Sequence, residues 1–146
     1  MNEQLQLANA SQSIRLKNAG FDWKTNHYYL LTGDGKYELN RTLECLNHNG
    51  VDTKFERFSA PTIALALKWF RDVKNIVSSI YLGNCCYIYQ YVFKDNSKAQ
   101  NAANITTKKY QTCGRECYYQ TDNPTYEEAE IPLLDELLTI LEELSE

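Results

Sequence analysis

Residues 59 to 73 read Ser59-Ala60-Pro61-Thr62-Ile63-Ala64-Leu65-Ala66-Leu67-Lys68-Trp69-Phe70-Arg71-Asp72-Val73, and this stretch carries the clearest structural signal in the chain. Apolar residues recur at helical spacing after Pro61, while the charged residues fall on the opposite face. The hydroxyl of Thr62 can accept a hydrogen bond from an amide of the first helical turn. The pattern therefore predicts an amphipathic helix that is capped by Thr62, with Trp69 as a packing residue.

A β-hairpin is predicted directly after this helix. Residues 76–82 and 85–93 are rich in β-branched and aromatic residues, and they flank Gly83-Asn84. A two-residue connection with glycine first favours a tight turn that matches the twist of paired strands. A further strand or two is expected between residues 105 and 120.

A last helix is predicted near the C-terminus. Thr125 and Glu128 lie three residues apart, which is the spacing of a capping box. Pro132 lies within the following apolar stripe and removes one backbone donor, so the helix is expected either to kink there or to restart at that residue. The stripe has six members: Ile131, Leu134, Leu137, Leu138, Leu141 and Leu144.

The N-terminal third has weaker signals. Residues 12–19 are predicted to end a helix, because Gly20 accepts left-handed geometry and Phe21 can fold back onto Leu16. A strand is predicted at 27–31, then a turn at 33–35 and a short strand at 54–58. For residues 40–52 the pattern is ambiguous, and a short helix capped by Asn40 is one interpretation. These elements predict one α+β domain over 1–146, with a core over 58–144 and an antiparallel sheet of four to six strands covered on one face by two main helices.

Composition and charge exclude several classes. The chain has 146 residues, of which 43% are apolar, so a packed single domain is expected. It shows neither a signal peptide nor an apolar run long enough to cross a membrane, which predicts a soluble cytoplasmic protein. The net charge of −4 is unevenly distributed, because residues 127–146 contain eight acidic and no basic residues. These carboxylates are expected to coat a solvated helix face, or alternatively to dock on a basic partner.

A family resemblance is carried by residues 59–62, 68–72 and 125–129, which read Ser-Ala-Pro-Thr, Lys-Trp-Phe-Arg-Asp and Thr-Tyr-Glu-Glu-Ala. This combination resembles small proteins of Bacteroides-type gut bacteria and their phages or mobile elements. The resemblance covers roughly residues 12–31 and 58–144. It implies no activity, cofactor or catalytic residue.

The residues that could support catalysis or bind a metal form no recognisable pattern. Five cysteines in a chain without an export signal are expected to be reduced thiols. Cys113 and Cys117 have three residues between them, within the range of zinc ligands, but neighbouring Cys85 and Cys86 would point to opposite faces of a strand. No histidine lies in the context of an activated nucleophile. We therefore predict that the protein is not an enzyme and has neither a metal nor another cofactor.

The remaining candidate is an aromatic ladder in residues 85–93. Period-two alternation places Tyr87, Tyr89 and Tyr91 on one face of the strand. If the opposite, aliphatic face packs the helices, these tyrosines form an open binding surface. If the tyrosine face is instead the core, the ladder is structural.

Two functions follow from these alternatives. The first is a non-catalytic interaction module of a phage or mobile element that binds a protein partner. The second is a nucleic-acid-binding accessory protein, in which the tyrosines act together with basic residues. Those residues are Lys94, Lys98, Lys108, Lys109 and Arg115. Overall acidity disfavours the second function, because phosphate neutralisation supplies most non-specific affinity for nucleic acids. The sequence does not identify the partner or the oligomeric state.

Overall fold

The protein has an α+β fold, seen in a computed structural model that describes residues 6–50, 56–82, 87–93 and 126–144. The chain divides into two compact units, Met1–Ala66 and Leu67–Glu146. The division falls inside the helix that spans Ile63–Val73. Each unit is described by itself.

The first unit contains a three-stranded antiparallel sheet. Helix α1 spans Ala10–Asn18 and is followed by strands β1 (Thr25–Leu31) and β2 (Tyr37–Leu46). A 3-10 turn at His48–Gly50 precedes strand β3 (Arg57–Ser59). The strand order is β2-β1-β3, which places β2 and β3 at the edges.

Local hydrogen bonds define both ends of α1. At its start Asn9 and Gln12 form a capping box, with the Asn9 Oδ1 atom 2.8 Å from the Gln12 amide. At its end Gly20 has a φ of +98°, and the amide of Phe21 donates to the carbonyl of Leu16 at 2.9 Å. A second bond runs from the Gly20 amide to the carbonyl of Lys17, which completes a Schellman motif. The predicted helix end at Gly20 and the return of Phe21 are confirmed.

Helix α1 packs against β3 on one face of this sheet. Phe58 on β3 and Tyr29 on β1 are directly paired, so their side chains share that face. Phe58 is buried, and the Lys17 ammonium lies 5.0 Å from its ring centre. The Tyr29 hydroxyl donates to the carbonyl of Ala8 at 3.1 Å, and burial raises the pKa of this tyrosine. The buried residues of this unit thus include positions well before 58, outside the predicted core.

Helix α2 spans Ile63–Val73 and begins as predicted. The Thr62 hydroxyl accepts a hydrogen bond from the Leu65 amide at 3.1 Å, so Thr62 is the N-cap. Along the helix Ile63, Ala66 and Phe70 are fully buried, which confirms the apolar stripe. Trp69 is also buried, in agreement with a packing role, whereas Val73 is exposed.

The second unit contains an antiparallel hairpin and a long helix. Strands β4 (Ile76–Leu82) and β5 (Tyr87–Phe93) pair with each other, and helix α3 spans Tyr126–Leu144. Asn75 has a φ of 60° directly before β4, which allows the chain to turn sharply out of α2. Helix α3 contacts both strands of the hairpin.

Several finer predictions differ from this fold. The five described strands form two sheets of three and two strands, so a single sheet of four to six strands is not confirmed. The described register of the hairpin ends with Leu82 paired to Tyr87. The predicted turn Gly83-Asn84, the strands expected at 105–120 and the cap Thr125 lie outside the described residues.

Two of the alternatives left open for helices are wrong. Strand β2 continues to Leu46, which pairs with Thr25 of β1 beyond a bulge, so the helix capped by Asn40 does not form. Helix α3 runs through Pro132 without restarting there, and the kink expected at this residue stays a prediction. Its buried face includes Leu133 and Ile140, while Ile131, Leu141 and Leu144 are only half-buried, so the stripe is centred differently from the prediction.

Among the described helices, none is long and apolar enough to cross a membrane.

Candidate functional site

The predicted tyrosine surface lies mainly in the interior of the second unit. Tyr89 and Tyr91 have exposed fractions of 7% and 3%, and Tyr87 is half-buried. In the hairpin Tyr89 pairs with Ile80 and Tyr91 with Ser78, so these side chains share one face. This placement corresponds to the alternative in which the tyrosine face belongs to the core.

Helix α3 explains this burial. It packs on the hairpin, and the Tyr91 hydroxyl lies 3.4 Å from the Oε1 atom of Glu136. The rings of Tyr87 and Tyr126 meet edge to face, with their centroids 6.0 Å apart. The sequence alone does not reveal this arrangement, because both faces of β5 are apolar enough to pack against a helix. The basic residues invoked for nucleic-acid binding, at positions 94, 98, 108, 109 and 115, lie outside the described residues.

The acidic residues of α3 are divided between surface and interior. Glu127, Glu128 and Glu142 are exposed, as expected for a solvated face. Glu130 is buried, and the loss of solvation raises its pKa, with the nearby charge of Glu127 adding to the shift. Helix α3 thus has an exposed acidic face, but that feature by itself does not identify a ligand.

Metal and thiol chemistry find no geometric support in the part of the chain that the structure describes. No group of three or more histidine, cysteine or acidic side chains converges there in a way that could hold a metal ion. Cys45 is a free, exposed thiol whose Sγ atom lies 3.0 Å from Asn26 Oδ1. The other four cysteines are outside the described residues, so the prediction of reduced, metal-free thiols stays a prediction.

The most distinctive surface feature is the outer edge of β2. The Leu31 amide donates to the Glu56 carbonyl, and the His27 carbonyl accepts from the Ala60 amide, so both residues direct their backbone groups towards β3. Backbone groups alternate sides along a strand, and Tyr28 and Leu30 therefore direct theirs towards β2. Their partners on β2 are Asn40 and Glu38.

It follows that the intervening residues of β2 direct their backbone groups away from β1. These residues are Tyr37, Leu39 and Arg41. No described strand pairs with this side of β2. We use the term outer edge for these three residues, including their amides and carbonyls, which pair with no described strand.

Apolar side chains accompany these unpaired backbone groups. Tyr37 is 45% exposed and Leu39 is 47% exposed, and both lie on the sheet face that carries Tyr29 and Phe58. Because α1 packs against β3 at the other side of the sheet, these two side chains stay almost half exposed, although the Tyr37 ring meets Phe58 edge to face at 6.1 Å. A long edge strand with exposed apolar side chains is a template for pairing with another chain.

A turn and a bulge bound the regular part of this edge. At one end the Thr32 amide donates to the Lys36 carbonyl at 2.8 Å, which closes the β1–β2 turn. At the other end the register moves from His27–Arg41 to Thr25–Leu46, so residues 42–45 bulge opposite Asn26. Leu43 lies in this bulge and is fully exposed. The regular edge is therefore limited to residues 37–41.

The chain after β2 is anchored by a buried polar cluster. The His48 amide donates to Ser59 Oγ at 3.0 Å, and the amide of Ser59 donates to Asn49 Oδ1 at 2.9 Å. The Nδ2 atom of Asn49 also donates to the carbonyl of Phe21 at 2.8 Å. These bonds join the end of β2 to β3 and to the segment before β1, so β2 is held at both ends.

His48 is the buried titratable group of this cluster. Its ring stacks on Tyr28 with centroids 4.5 Å apart, and the Arg57 guanidinium lies 4.5 Å from the same tyrosine ring. The His48 Nε2 atom lies 3.2 Å from the Thr25 carbonyl, which can only accept, so this nitrogen carries the proton. Among the described residues Nδ1 has no hydrogen-bond partner. Burial lowers the pKa of His48 and the Arg57 charge lowers it further, while the Thr25 carbonyl partly opposes the shift.

The outer edge was missed at the sequence level. The alternation of Tyr37 and Leu39 with Glu38 and Asn40 is a strand signal, but it does not show whether the strand lies at an edge of the sheet. The bulge interrupts that alternation after Arg41, which agrees with the ambiguous pattern of residues 40–52. Which side of the strand remains unpaired depends on the strand order of the sheet, which no local pattern reveals.

Comparisons with known proteins gave no match: no family model, no curated protein and no solved structure aligns significantly with the chain.

Proposed function

We propose that this protein is a non-catalytic interaction module that binds a protein partner in extended conformation at the outer edge of β2. The single observation that carries this proposal is the set of backbone groups of Tyr37, Leu39 and Arg41 that pair with no strand in the described part of the chain, flanked by exposed apolar side chains. Adding a strand to a sheet edge satisfies such groups with main-chain hydrogen bonds. The assignment to a phage or mobile element rests on the family resemblance.

The arrangement supports strand addition for two reasons. The Tyr37 and Leu39 side chains can pack against alternate residues of an added strand, which supplies specificity in addition to backbone bonding. The turn and the polar cluster around Asn49 hold both ends of β2, so the edge is organised before binding and less entropy is lost on association.

Nucleic-acid binding has less support. It relied on Tyr87, Tyr89 and Tyr91 as an open stacking surface, and the last two are buried. Base stacking requires exposed ring faces. No observation on the described residues favours this second function.

The test is a selection of extended peptides on the purified protein. A displayed library of random 12-residue peptides would be selected on the wild-type chain, and binding of the enriched peptides would be measured by fluorescence polarisation. We expect enriched peptides with alternating apolar residues.

The matched variants are Leu39→Pro and Leu39→Val. Proline removes an amide donor that faces away from β1, a position where an edge strand tolerates it, whereas valine keeps the donor and the apolar character. Losing that bond and leaving its partner unsatisfied should cost about 1.4 kcal/mol, which is roughly tenfold in affinity. No enrichment above the tag alone, or equal binding to both variants with circular dichroism unchanged, would contradict the proposal.

A further inference from the structure

We infer that the outer edge of β2 pairs with the same edge of a second copy of this chain, in one antiparallel register centred on Leu39. This inference rests on the proposed function, because it assigns the occupant of the same edge. The observation that supports it is not needed for the proposed function. When two copies of segment 37–41 run antiparallel with Leu39 opposite Leu39, each residue of one copy lies opposite a residue that complements it in the other.

The backbone allows only this register to satisfy every outward group. With Leu39 opposite Leu39 of the other copy, Tyr37 lies opposite Arg41, and all of these residues direct amide and carbonyl groups outward. Three outward amides from each copy then give six hydrogen bonds. Shifting the centre to residue 38 places Arg41 opposite Gly35 in the turn, and shifting it to residue 40 places Tyr37 opposite Leu43 in the bulge. If the centre of symmetry fell between two residues, backbone groups that point away from β1 in one copy would lie opposite groups that point towards β1 in the other copy.

The side chains are complementary in the same register. On one face the two Leu39 side chains meet, and each Tyr37 lies opposite Arg41 of the other copy, while its ring packs edge to face on Phe58 of its own sheet with centroids 6.1 Å apart. On the other face the carboxylate of Glu38 lies opposite the amide of Asn40. No two like charges are directly opposed, which would otherwise destabilise a pair of strands.

The exposure of these residues agrees with such a contact. Tyr37 and Leu39 are each almost half exposed, and α1 lies towards β3, away from the strand that would pair. Pairing would extend the three-stranded sheet into a continuous six-stranded sheet across the two copies. The contact is small, so we expect a reversible dimer with a Kd between about 1 μM and 1 mM.

The first test is sedimentation equilibrium of the full chain over that concentration range. The average mass should rise from 16.9 kDa towards twice that value. Leu39→Pro should raise the dimer Kd at least about tenfold, because the substitution removes one central amide from each copy, while Leu39→Val should leave it within about threefold. A monomer at all concentrations, or a dimer that Leu39→Pro leaves unchanged, would overturn the inference.

The second test examines the register. In a Cys45→Ser background, Leu39→Cys places two thiols opposite each other, at a Cα separation near 5.5 Å that a disulfide can span. The matched control Tyr37→Cys lies on the same edge and face, but its two copies would be four residues apart along the strand, about 13 Å. Mild oxidation followed by peptide mass spectrometry should yield the 39–39 cross-link at least about tenfold more than the 37–37 cross-link. Equal yields would overturn the inference.

These outcomes separate the inference from the proposed function. If the chain is monomeric but still selects extended peptides, and Leu39→Pro abolishes their binding, the proposed function is supported and the self-pairing is contradicted. If the chain neither dimerises nor selects peptides, both the self-pairing and the proposed function are contradicted.

Discussion

Strand β2 in the first unit and strand β5 in the second unit have similar alternating patterns and different surroundings. Both place aromatic or apolar residues at every second position, Tyr37 and Leu39 in β2 and Tyr89 and Tyr91 in β5. The β5 side chains are buried because α3 packs on the hairpin, whereas the β2 side chains stay exposed because α1 packs against β3. Alternation therefore identifies a strand face, and the position of a neighbouring helix decides whether that face is core or surface.

The largest expected effect tests this difference directly. Tyr89→Ala removes a buried ring from β5 and should reduce the free energy of unfolding by about 3 to 5 kcal/mol, because the cavity cannot fully collapse. The matched variant Tyr37→Ala removes a ring that is 45% exposed and packs edge to face on Phe58, so it should cost only about 1 kcal/mol. Urea titrations followed by far-ultraviolet circular dichroism measure both values. Similar losses for the two variants would remove the distinction between a covered and an open strand.

The next prediction concerns the anchoring of the open strand. Asn49→Ala deletes the acceptor of the buried Ser59 amide and the donor to the Phe21 carbonyl. We expect a loss of about 2 to 3 kcal/mol, since the Ser59 amide is left buried without its partner. Asn40→Ala is the control, because the Asn40 side chain donates only to the exposed Glu38 carbonyl, and it should cost less than about 0.5 kcal/mol. If both variants unfold at the same urea concentration, the polar cluster does not stabilise β2.

Helix α1 can be perturbed through its C-terminal turn. Gly20→Ala places a side chain at a φ of +98°, a conformation that L residues rarely adopt, and should cost about 1 to 2 kcal/mol. Gly33→Ala is the matched control, because Gly33 has no positive φ and nothing lies near the added methyl group. Thermal unfolding of the two variants gives the comparison. Equal stabilities would show that the Schellman turn is not needed to hold α1 on the sheet.

The smallest effect near neutral pH comes from His48. Because its folded-state pKa lies below the ordinary value of 6.5, the unfolded chain binds more protons than the folded chain once the pH falls below about 6.5. Its contribution to stability is therefore present above that pH and is lost as the pH falls towards the folded-state pKa. One such group contributes a slope of at most about 1.4 kcal/mol per pH unit.

The measurement compares wild type with His48→Gln by urea titration at pH 7.5 and pH 5.5. The charged group that faces His48 is Arg57, and it opposes protonation. We expect the difference in unfolding free energy between the two proteins to shrink or reverse at pH 5.5. A constant difference across this range would show that His48 does not take up its proton on unfolding.

The sequence alone determined the features that depend on a few neighbouring residues. The cap of α2 at Thr62 and the end of α1 at Gly20 were predicted correctly, because each is decided by a side-chain oxygen or a left-handed residue at a fixed offset. The strand character of β1, β4 and β5 followed from short runs that are rich in β-branched and aromatic residues. The continuation of helix α3 through Pro132 was less predictable, because packing of the helix compensates for the backbone hydrogen bond that proline cannot donate.

Only the tertiary structure decided which side chains and which strand edge are exposed. Whether Tyr89 and Tyr91 are open or buried depends on where α3 packs, and its contact with β5 joins residues more than 30 positions apart. The outer edge of β2 depends on the strand order β2-β1-β3 and on a bulge that no local propensity specifies. Caps and periodicity are local free-energy preferences, whereas burial is set by long-range packing between elements, so the sequence predicted the elements better than the surface available for binding.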